Sequence, residues 1–531
     1  MNTDFLSAVS ACCHPSWTSR GLWHRCLALA ATLCIGACAV GPDYHKPSVQ
    51  IPESFKEGAD WQRAQANPQG SLSSDWWSVY QDDKLTQLIE QSQKANQSIA
   101  AAEAAYRLAL AIVQADTANL FPLVTTGLSG RRTGVGSGFS PSTGSSITGS
   151  SATSTRATSG VSNNFSASAS ASWELDLWGS IRRQIEAAKG SAQATDAQLA
   201  GERLSIASSV AVDYFELRRA DIDIQLLKQQ QDIDSRILDM TRASFAQGQT
   251  SNDQVLAAQD TLETVVADLQ STETTREQDE HAIAVLVGVP PESFALPEVP
   301  AYAFVLPDVP LALPSQLLER RYDVVSAERT AAAANAQIGV AEAAFFPTLT
   351  LSAQGGFQHN TLAHLFSLPS RVWTLGPDLA ATIFDGGART AVVHETRAIY
   401  DEDVATYRNT VLSAFQTVED GLSSVNHLRQ QTQAFANILE RNQQLFASER
   451  AQLQAGAVSE QDLLTEQLTL LQAEQNLSDT RALLTQGSVT LIRNLGGGWQ
   501  WDDTKVSAVA GHRPQSDRAG PAETLDASAP K

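Results

Sequence analysis

Beyond residue 38 the chain contains no cysteine: all five, Cys12, Cys13, Cys26, Cys34 and Cys38, fall at or before that point. The remainder therefore has neither disulfides nor cysteine-held metal. Basic residues are also scarce, 37 Lys and Arg against 58 Asp and Glu, for a net charge of -21. That balance offers no clustered cationic surface with which to displace counterions, and it argues against a nucleic-acid partner. The histidines, among them His281, His359, His364, His394 and His427, lack both the i, i+4 helical pairing and the cysteine partners of a metal site. No catalytic constellation emerges, so the reading is of a chain that is not an enzyme and carries no cofactor. Gly134-Val-Gly136-Ser-Gly138 imitates a phosphate loop but has no strand-to-helix setting. After the N-terminal segment no stretch reaches the ~20 consecutive apolar residues of a transmembrane helix. Further membrane contact has to come from strands.

What the sequence does hold begins with an export signal. Arg20 and Arg25 precede an apolar run, Leu27 to Ala37, too short to span a bilayer as a mature helix. Residues 1–37 read as a removable signal peptide. The run closes on Ile35-Gly36-Ala37-Cys38, which resembles the lipobox of bacterial lipoproteins. That resemblance implies diacylglycerol and palmitate on Cys38, at the head of a lipid-anchored segment, 38–82. Ala39 and Val40 follow in place of the Asp that resembles an inner-membrane retention signal, which favours the outer membrane. One anchor binds with only ~0.8 kcal/mol per buried methylene, so lipid need not be the main attachment.

Two long segments match at a fixed offset of 208 residues: Phe245-Ala-Gln-Gly248 with Leu453-Gln-Ala-Gly456, Gln259 with Gln467, Leu269 with Leu477, Gly288 with Gly496. Upstream, Leu120-Phe121-Pro122 corresponds to Phe345-Phe346-Pro347, and Leu177-Trp178-Gly179 to Phe384-Asp385-Gly386. The first copy is longer by a Ser/Thr/Gly-rich tract, Thr133 to Ser162, that reads as an exposed flexible loop. The copies span 83–288 and 314–501, joined by a Pro-rich connector, 289–313, and followed by a polar tail, 502–531, expected to be disordered.

Each copy orders as helix, strand, loop, strand, long helix, turn, helix. Helices are expected at 83–118, 180–247, 252–287, 314–344, 388–455 and 459–494. In the long members Val210, Leu217, Ile224, Gln231, Leu238 and Phe245 recur every seventh residue, and Val418, Val425, Thr432, Leu439, Phe446 and Leu453 repeat the rhythm. Sustained heptads over ~65 residues imply supercoiled rods of roughly 100 Å.

Strands are expected at about 120–132, 163–178, 347–358 and 371–384. Phe165, Ala167, Ala169, Ala171, Trp173 and Leu175 alternate with Ser166, Ser168, Ser170, Ser172 and Glu174, a two-residue period with one apolar and one hydrophilic face. Such a segment suits a lipid-facing barrel around water, or a half-buried soluble sheet. Four strands per chain cannot close a membrane barrel, because an open edge cannot face lipid and the smallest barrels need about eight. Several chains must contribute. Trp173, Trp178 and Trp373 are candidates for an interfacial aromatic girdle, with ordinary packing as the alternative.

At this point the chain resembles the TolC-like outer-membrane efflux proteins, and within them the NodT-type lipoproteins of resistance-nodulation-division efflux systems. The resemblance rests on Cys38 followed by Gly41-Pro42-Asp43-Tyr44, on Trp76-Trp77, on Leu313-Pro314-Ser315 through Glu319-Arg320-Arg321, and on Ala327-Glu328-Arg329, Ile338-Gly339-Val340-Ala341, Phe346-Pro347 and Ile383-Phe384-Asp385-Gly386-Gly387. Tyr322 departs from it, standing where the family usually has Pro. The resemblance implies an α+β membrane protein: a homotrimeric twelve-stranded outer-membrane barrel, four strands per chain, continued by a periplasmic α-helical coiled-coil barrel. It implies a passive efflux conduit lying in outer-membrane lipid and reaching into the periplasm, with a periplasmic adaptor protein and an inner-membrane efflux pump as partners. An equatorial belt falls on the connector, the Trp76-Trp77 segment and the Trp499 to Trp501 end.

The resemblance also places carboxylates at the periplasmic aperture, just after the turn joining the last two helices. Here that stretch is Gly456-Ala-Val458-Ser459-Glu460-Gln461-Asp462-Leu463-Leu464-Thr465-Glu466. Asp462 matches one aperture carboxylate; Thr465 replaces the second, so that ring is weaker or shifted to Glu460 or Glu466, and Asp253 is a weak counterpart in the first copy. Gly248, Gly456, Val458 and Ser459 mark the helix-turn tips expected to meet the adaptor. Two rival readings are a type I protein-secretion channel, disfavoured by the lipobox and Arg320-Arg321, and a periplasmic coiled-coil scaffold or adaptor with rods but no lipid-facing strands.

Overall fold

The computed structural model describes residues 39–52, 55–57, 75–135, 160–307 and 321–499. Cys38 and the signal segment, most of the Ser/Thr/Gly tract, the stretch 308–320 and the tail from 502 lie outside the described residues. The described elements run α1 (Asp83–Ala95), α2 (Gln97–Ala118), β1 (Leu123–Val135), β2 (Gly160–Leu175), α3 (Ser180–Ala246), α4 (Asn252–Leu286), α5 (Tyr322–Ala343), β3 (Thr348–His359), β4 (Arg371–Ala380), α6 (Ala388–Gln454) and α7 (Glu460–Asn494). They fall into two units. One, built around 115–186 and 335–397, holds the four strands; the other, built around 44–114, 187–334 and 398 onward, is helical.

In the strand unit the sheet is antiparallel in the order β1-β2-β3-β4. Alternation sorts its faces. Val124, Leu128, Leu351, Trp373, Leu375 and Leu379 stand exposed on one side. The other side carries Thr125, Ser129, Ser166, Ser170, Gln354 and Thr374, with Thr125 hydrogen-bonded to Ser170 and Ser129 to Ser166, each at 2.8 Å. Leu123 and Val372 are exceptions on that hydrophilic side. Each outer strand, β1 and β4, leaves one edge unpaired among the described residues.

The strand bounds differ from expectation for identifiable reasons. β1 begins after Pro122 and β3 after Pro347, because proline cannot donate to the ladder. β4 then stops at Ala380, opposite Thr348, the first residue of β3, so 381–384 have no strand partner among the described residues and leave the sheet. Thr133–Val135 and Gly160–Ser162, expected to be loop, are paired strand. β2 ends at Leu175 because Asp176 turns to the next helix, accepting the amide N–H groups of Ile181 and Arg182 and the Arg182 guanidinium. Asp385 repeats this in the second copy, accepting from the Gly387 amide and from Arg389 Nε at 2.6 Å. Trp178 packs rather than reaching outward: its Nε1 donates to the Pro347 carbonyl at 2.8 Å and its ring stacks on Phe346.

The segment after residue 38 is held in the same unit. The Val40 amide donates to the Trp178 carbonyl at 2.9 Å, Arg183 reaches the Val40 and Gly41 carbonyls and the Asp43 carboxylate, and Asn335 donates to the Pro42 carbonyl. Gly41 adopts φ +101°, and a Cβ there would come within 2.4 Å of the Gly339 Cα. Only two glycines permit that approach.

In the helical unit, α3 and α6 are each 67 residues long, as the heptads require. Val210, Leu217, Ile224 and Leu238 are buried: Val210 and Leu217 in the main core, Ile224 against Val265 and Leu269 of α4, while further along Ile233 packs against Leu464 and Leu471 of α7. Thr432, Leu439, Phe446 and Leu453 of α6 remain half-buried in the single chain. The main core gathers Trp76, Tyr80, Leu85, Leu88 and Ile89 with Leu204 to Leu217, Val418 to Val425 and Leu484 to Leu495; each fully buried large apolar side chain contributes about 1.5–3 kcal/mol. The expected single helix over 83–118 is two. It breaks at Asn96, whose extended backbone lets its side-chain oxygen cap Ser98 and Ile99 while its amide donates to the Leu286 carbonyl. Helix α5 begins with Tyr322, its ring lying where a Cβ on Gly201 would stand.

Candidate functional site

The two helix pairs of the repeat end in matching turns. α3 closes with the Gly248 amide on the Phe245 carbonyl and the Gln249 amide on the Ser244 carbonyl; α6 closes with Gly456 on Leu453 and Ala457 on Gln452. This paired closure requires a left-handed residue, and both glycines sit at φ +71°. Ser251 then caps α4 through the Gln254 amide, and Ser459 caps α7 through the Asp462 amide. Gly248, Gly456 and Ser459 are exposed and Val458 half-exposed.

The turns differ in how the cap is completed. Asp462 completes a capping box, its Oδ2 accepting from the Ser459 amide at 2.9 Å and from the Ser459 hydroxyl at 2.7 Å. Gln254 occupies the corresponding place in the first copy, so the structural counterpart of Asp462 is Gln254 and not Asp253. These hydrogen bonds, the Ser459 hydroxyl first, hold the Asp462 carboxyl below the usual range, so it is ionised near neutral pH. The expected aperture residue is thus an exposed helix cap, ionised near neutral pH.

Glu460, one of the alternatives for the second carboxylate, is paired: its Oε1 lies 2.6 Å from Nη2 of Arg236 on α3. Glu466 is half-buried one turn further along α7, with Oε1 buried and unpartnered among the described residues. Ser459, Glu460, Asp462 and Glu466 therefore share the first turns of one helix, and Arg236 is the residue that sequence reading missed. Its partner is 224 positions away, and no local spacing announces the contact.

A second charged cluster lies where α3, α4 and α7 meet. Arg219 on α3 pairs with Glu216 and Asp223 of its own helix and with Asp479 of α7 at 3.2 Å, and Gln486 donates to Glu216. Burial, then the neighbouring carboxylates, push Asp223 and Asp279 up to about 7 and Asp213 up to about 6. Glu216 moves the other way: burial opposes the shift, but hydrogen bonds from Arg219 and Gln486 outweigh it. Alongside, Arg218 and Arg276 clamp Asp221 and bond the Pro297 and Leu296 carbonyls, fixing the connector to α3 and α4. No group of three or more His, Cys, Asp or Glu able to hold a metal occurs among the described residues.

The model of a family described as outer membrane efflux protein matches residues 88–289 and 313–497. Among relatives, the chain is 30% identical to the probable efflux pump outer membrane protein TtgC of Pseudomonas putida, across 89% of this chain and 95% of that one. It is 31% identical to the pyoverdine export outer membrane protein OpmQ of Pseudomonas aeruginosa, across 89% and 97%. Among solved structures, it superposes on the outer-membrane channel OprN with a TM-score of 0.75 at 27% identity, across 87% of this chain and all of that one.

Proposed function

Since the chain belongs to the outer membrane efflux protein family and is an outer-membrane component of an efflux system, we propose that three copies assemble into one passive conduit. It carries small toxic compounds or drugs outward from an inner-membrane pump through a periplasmic adaptor. The observation that carries this reading is the sheet. Four strands with one apolar face and two unpaired edges are unstable alone in lipid, and closing edge to edge with copies of themselves satisfies every backbone group. Three chains supply twelve strands. The half-buried distal heptads of α6 support the same assembly, since they present an apolar seam to a neighbour.

In this reading the turns at Gly248 and Gly456, with Val458 and Ser459, meet the adaptor. Threefold symmetry makes Asp462 a ring of fixed negative charge at the aperture, with Glu460 engaged by Arg236 in the closed state and Glu466 behind it. Cys38 carries the lipid, and the held segment from Val40 to Asp43 keeps the anchor near the strand unit. Energy comes from the pump. Outer-membrane extracts should yield a heat-stable trimer that conducts in planar bilayers; a stable monomer without conductance would favour a periplasmic scaffold instead.

A further inference from the structure

On the hydrophilic face of the sheet, Glu174, Thr350 and Asp378 lie in one row across β2, β3 and β4. The row is close to the end from which the helices leave, since β2 ends at Leu175 and β4 at Ala380. Both carboxylates are exposed. Glu174 and Asp378 are the only acids in the four strands; of the acids on the adjoining segments, Asp176 is paired with Arg182, Asp385 with Arg389, Glu342 with Arg397, and Asp43 and Glu186 with Arg183. Glu174 and Asp378 have neither an ion pair nor a hydrogen bond among the described residues.

The alternation places one strand cation on that face, Arg131, opposite Asn164. Arg132, opposite Asn163, and Arg371, opposite Phe357, belong to the apolar face. Asn164 is ten positions from Glu174 on β2, about 33 Å at the strand rise. Glu174 and Asp378 are two strand spacings apart, about 10 Å. With a screening length of about 8 Å at physiological salt, the two carboxylates overlap in potential and Arg131 is too distant to cancel them. The sheet is therefore acidic at its helix end and basic at the other.

We propose that Glu174 and Asp378 set the charge selectivity of the membrane-spanning bore. Repeated three times, they form a ring of carboxylates that passes inorganic and organic cations in preference to anions, separately from the tip. The assignment rests on the trimeric-conduit reading above. Its physical basis is that uncompensated charges on a low-dielectric wall raise the local concentration of counterions and repel co-ions.

The test is the reversal potential of reconstituted full-length protein under a KCl gradient, with trimer content followed on gels. Wild type is expected to favour K+ over Cl-, more strongly at low salt. In Glu174→Gln/Asp378→Asn the permeability ratio should fall several-fold, towards unity, with trimer and conductance retained; Arg131→Gln should raise it or leave it unchanged. A trimer of the double variant that conducts with wild-type selectivity overturns this assignment alone, most clearly if Asp462→Asn abolishes selectivity instead. A wild-type protein that is monomeric and carries no current overturns the conduit reading and this one together.

Discussion

Nη2 of Arg236 on α3 lies 2.6 Å from Oε1 of Glu460 in the first turn of α7, tying together two tip helices far apart in sequence. Both side chains are about half exposed, so the pair contributes about 0–1 kcal/mol. That is negligible for folding but enough to bias a two-state tip, since 1.4 kcal/mol is about tenfold in an equilibrium. Arg236→Ala and Glu460→Gln should each raise channel conductance or open probability up to about fivefold while leaving thermal stability nearly unchanged. The double variant should add nothing further. Wild-type conductance in both single variants would show that this pair does not hold the tip.

Asp462 and Ser459 form a reciprocal cap, so charge and capping separate by choice of substitution. Ser459→Ala and Asp462→Ala should each loosen the start of α7, seen as faster amide exchange there. Asp462→Asn retains an acceptor oxygen and should cost less. Block of the channel by multivalent cations added at the tip should be lost in both Asp462 variants and kept in Ser459→Ala. Persistence of block in Asp462→Asn would remove this residue from the aperture.

The cluster of Asp213, Asp223 and Asp279 gives a pH dependence of definite sign. An unfolded aspartate titrates near 4, whereas these hold their protons to about 6, 7 and 7. The folded chain therefore binds more protons between those limits, and stability falls as pH rises from about 4 to 7 and is level above. Glu216 runs oppositely: its contribution is present above about 4.5 and lost on further acidification. Melting temperatures across pH 4–8 should show this decline, and Asp223→Asn, facing Arg219 on α3 and Asp479 on α7, should flatten it. A stability that climbs with pH over that range would contradict the assignment.

Gly41→Ala would place a methyl group against the Gly339 backbone at a positive φ. Strain of this kind costs about 1–3 kcal/mol. The held segment after residue 38 should detach, so that limited proteolysis cuts it in the variant and not in the wild type, with the sheet and its assembly intact. Equal protection of both would mean that the contact is dispensable.

Much of this architecture was legible in the sequence because periodicity reports on burial. The heptads of Val210 to Phe245 foretold a 67-residue helix, and the serine-alanine alternation of β2 foretold its two faces. Element ends were less legible, since they depend on partners: β4 stops where β3 offers no further residue, and the helix over 83–118 breaks because Asn96 bonds a carbonyl of α4. At the tip, Ser459 and Asp462 were readable as a local motif. Arg236 was not, and neither was the aspartate cluster, because residues that look like a solvated helix face acquire perturbed acidity only when α4 and α7 pack over them.

The most direct test is an edge-to-edge crosslink. All five native cysteines lie at or before residue 38, so with these replaced by serine behind a cleavable, cysteine-free export signal, one cysteine at Thr126 on β1 and a second walked from Trp373 to Leu379 on β4 report only new contacts. Within one chain these strands are separated by β2 and β3. Oxidation in outer membranes should produce covalent dimers and trimers at one register; monomers alone at every register would contradict a shared barrel.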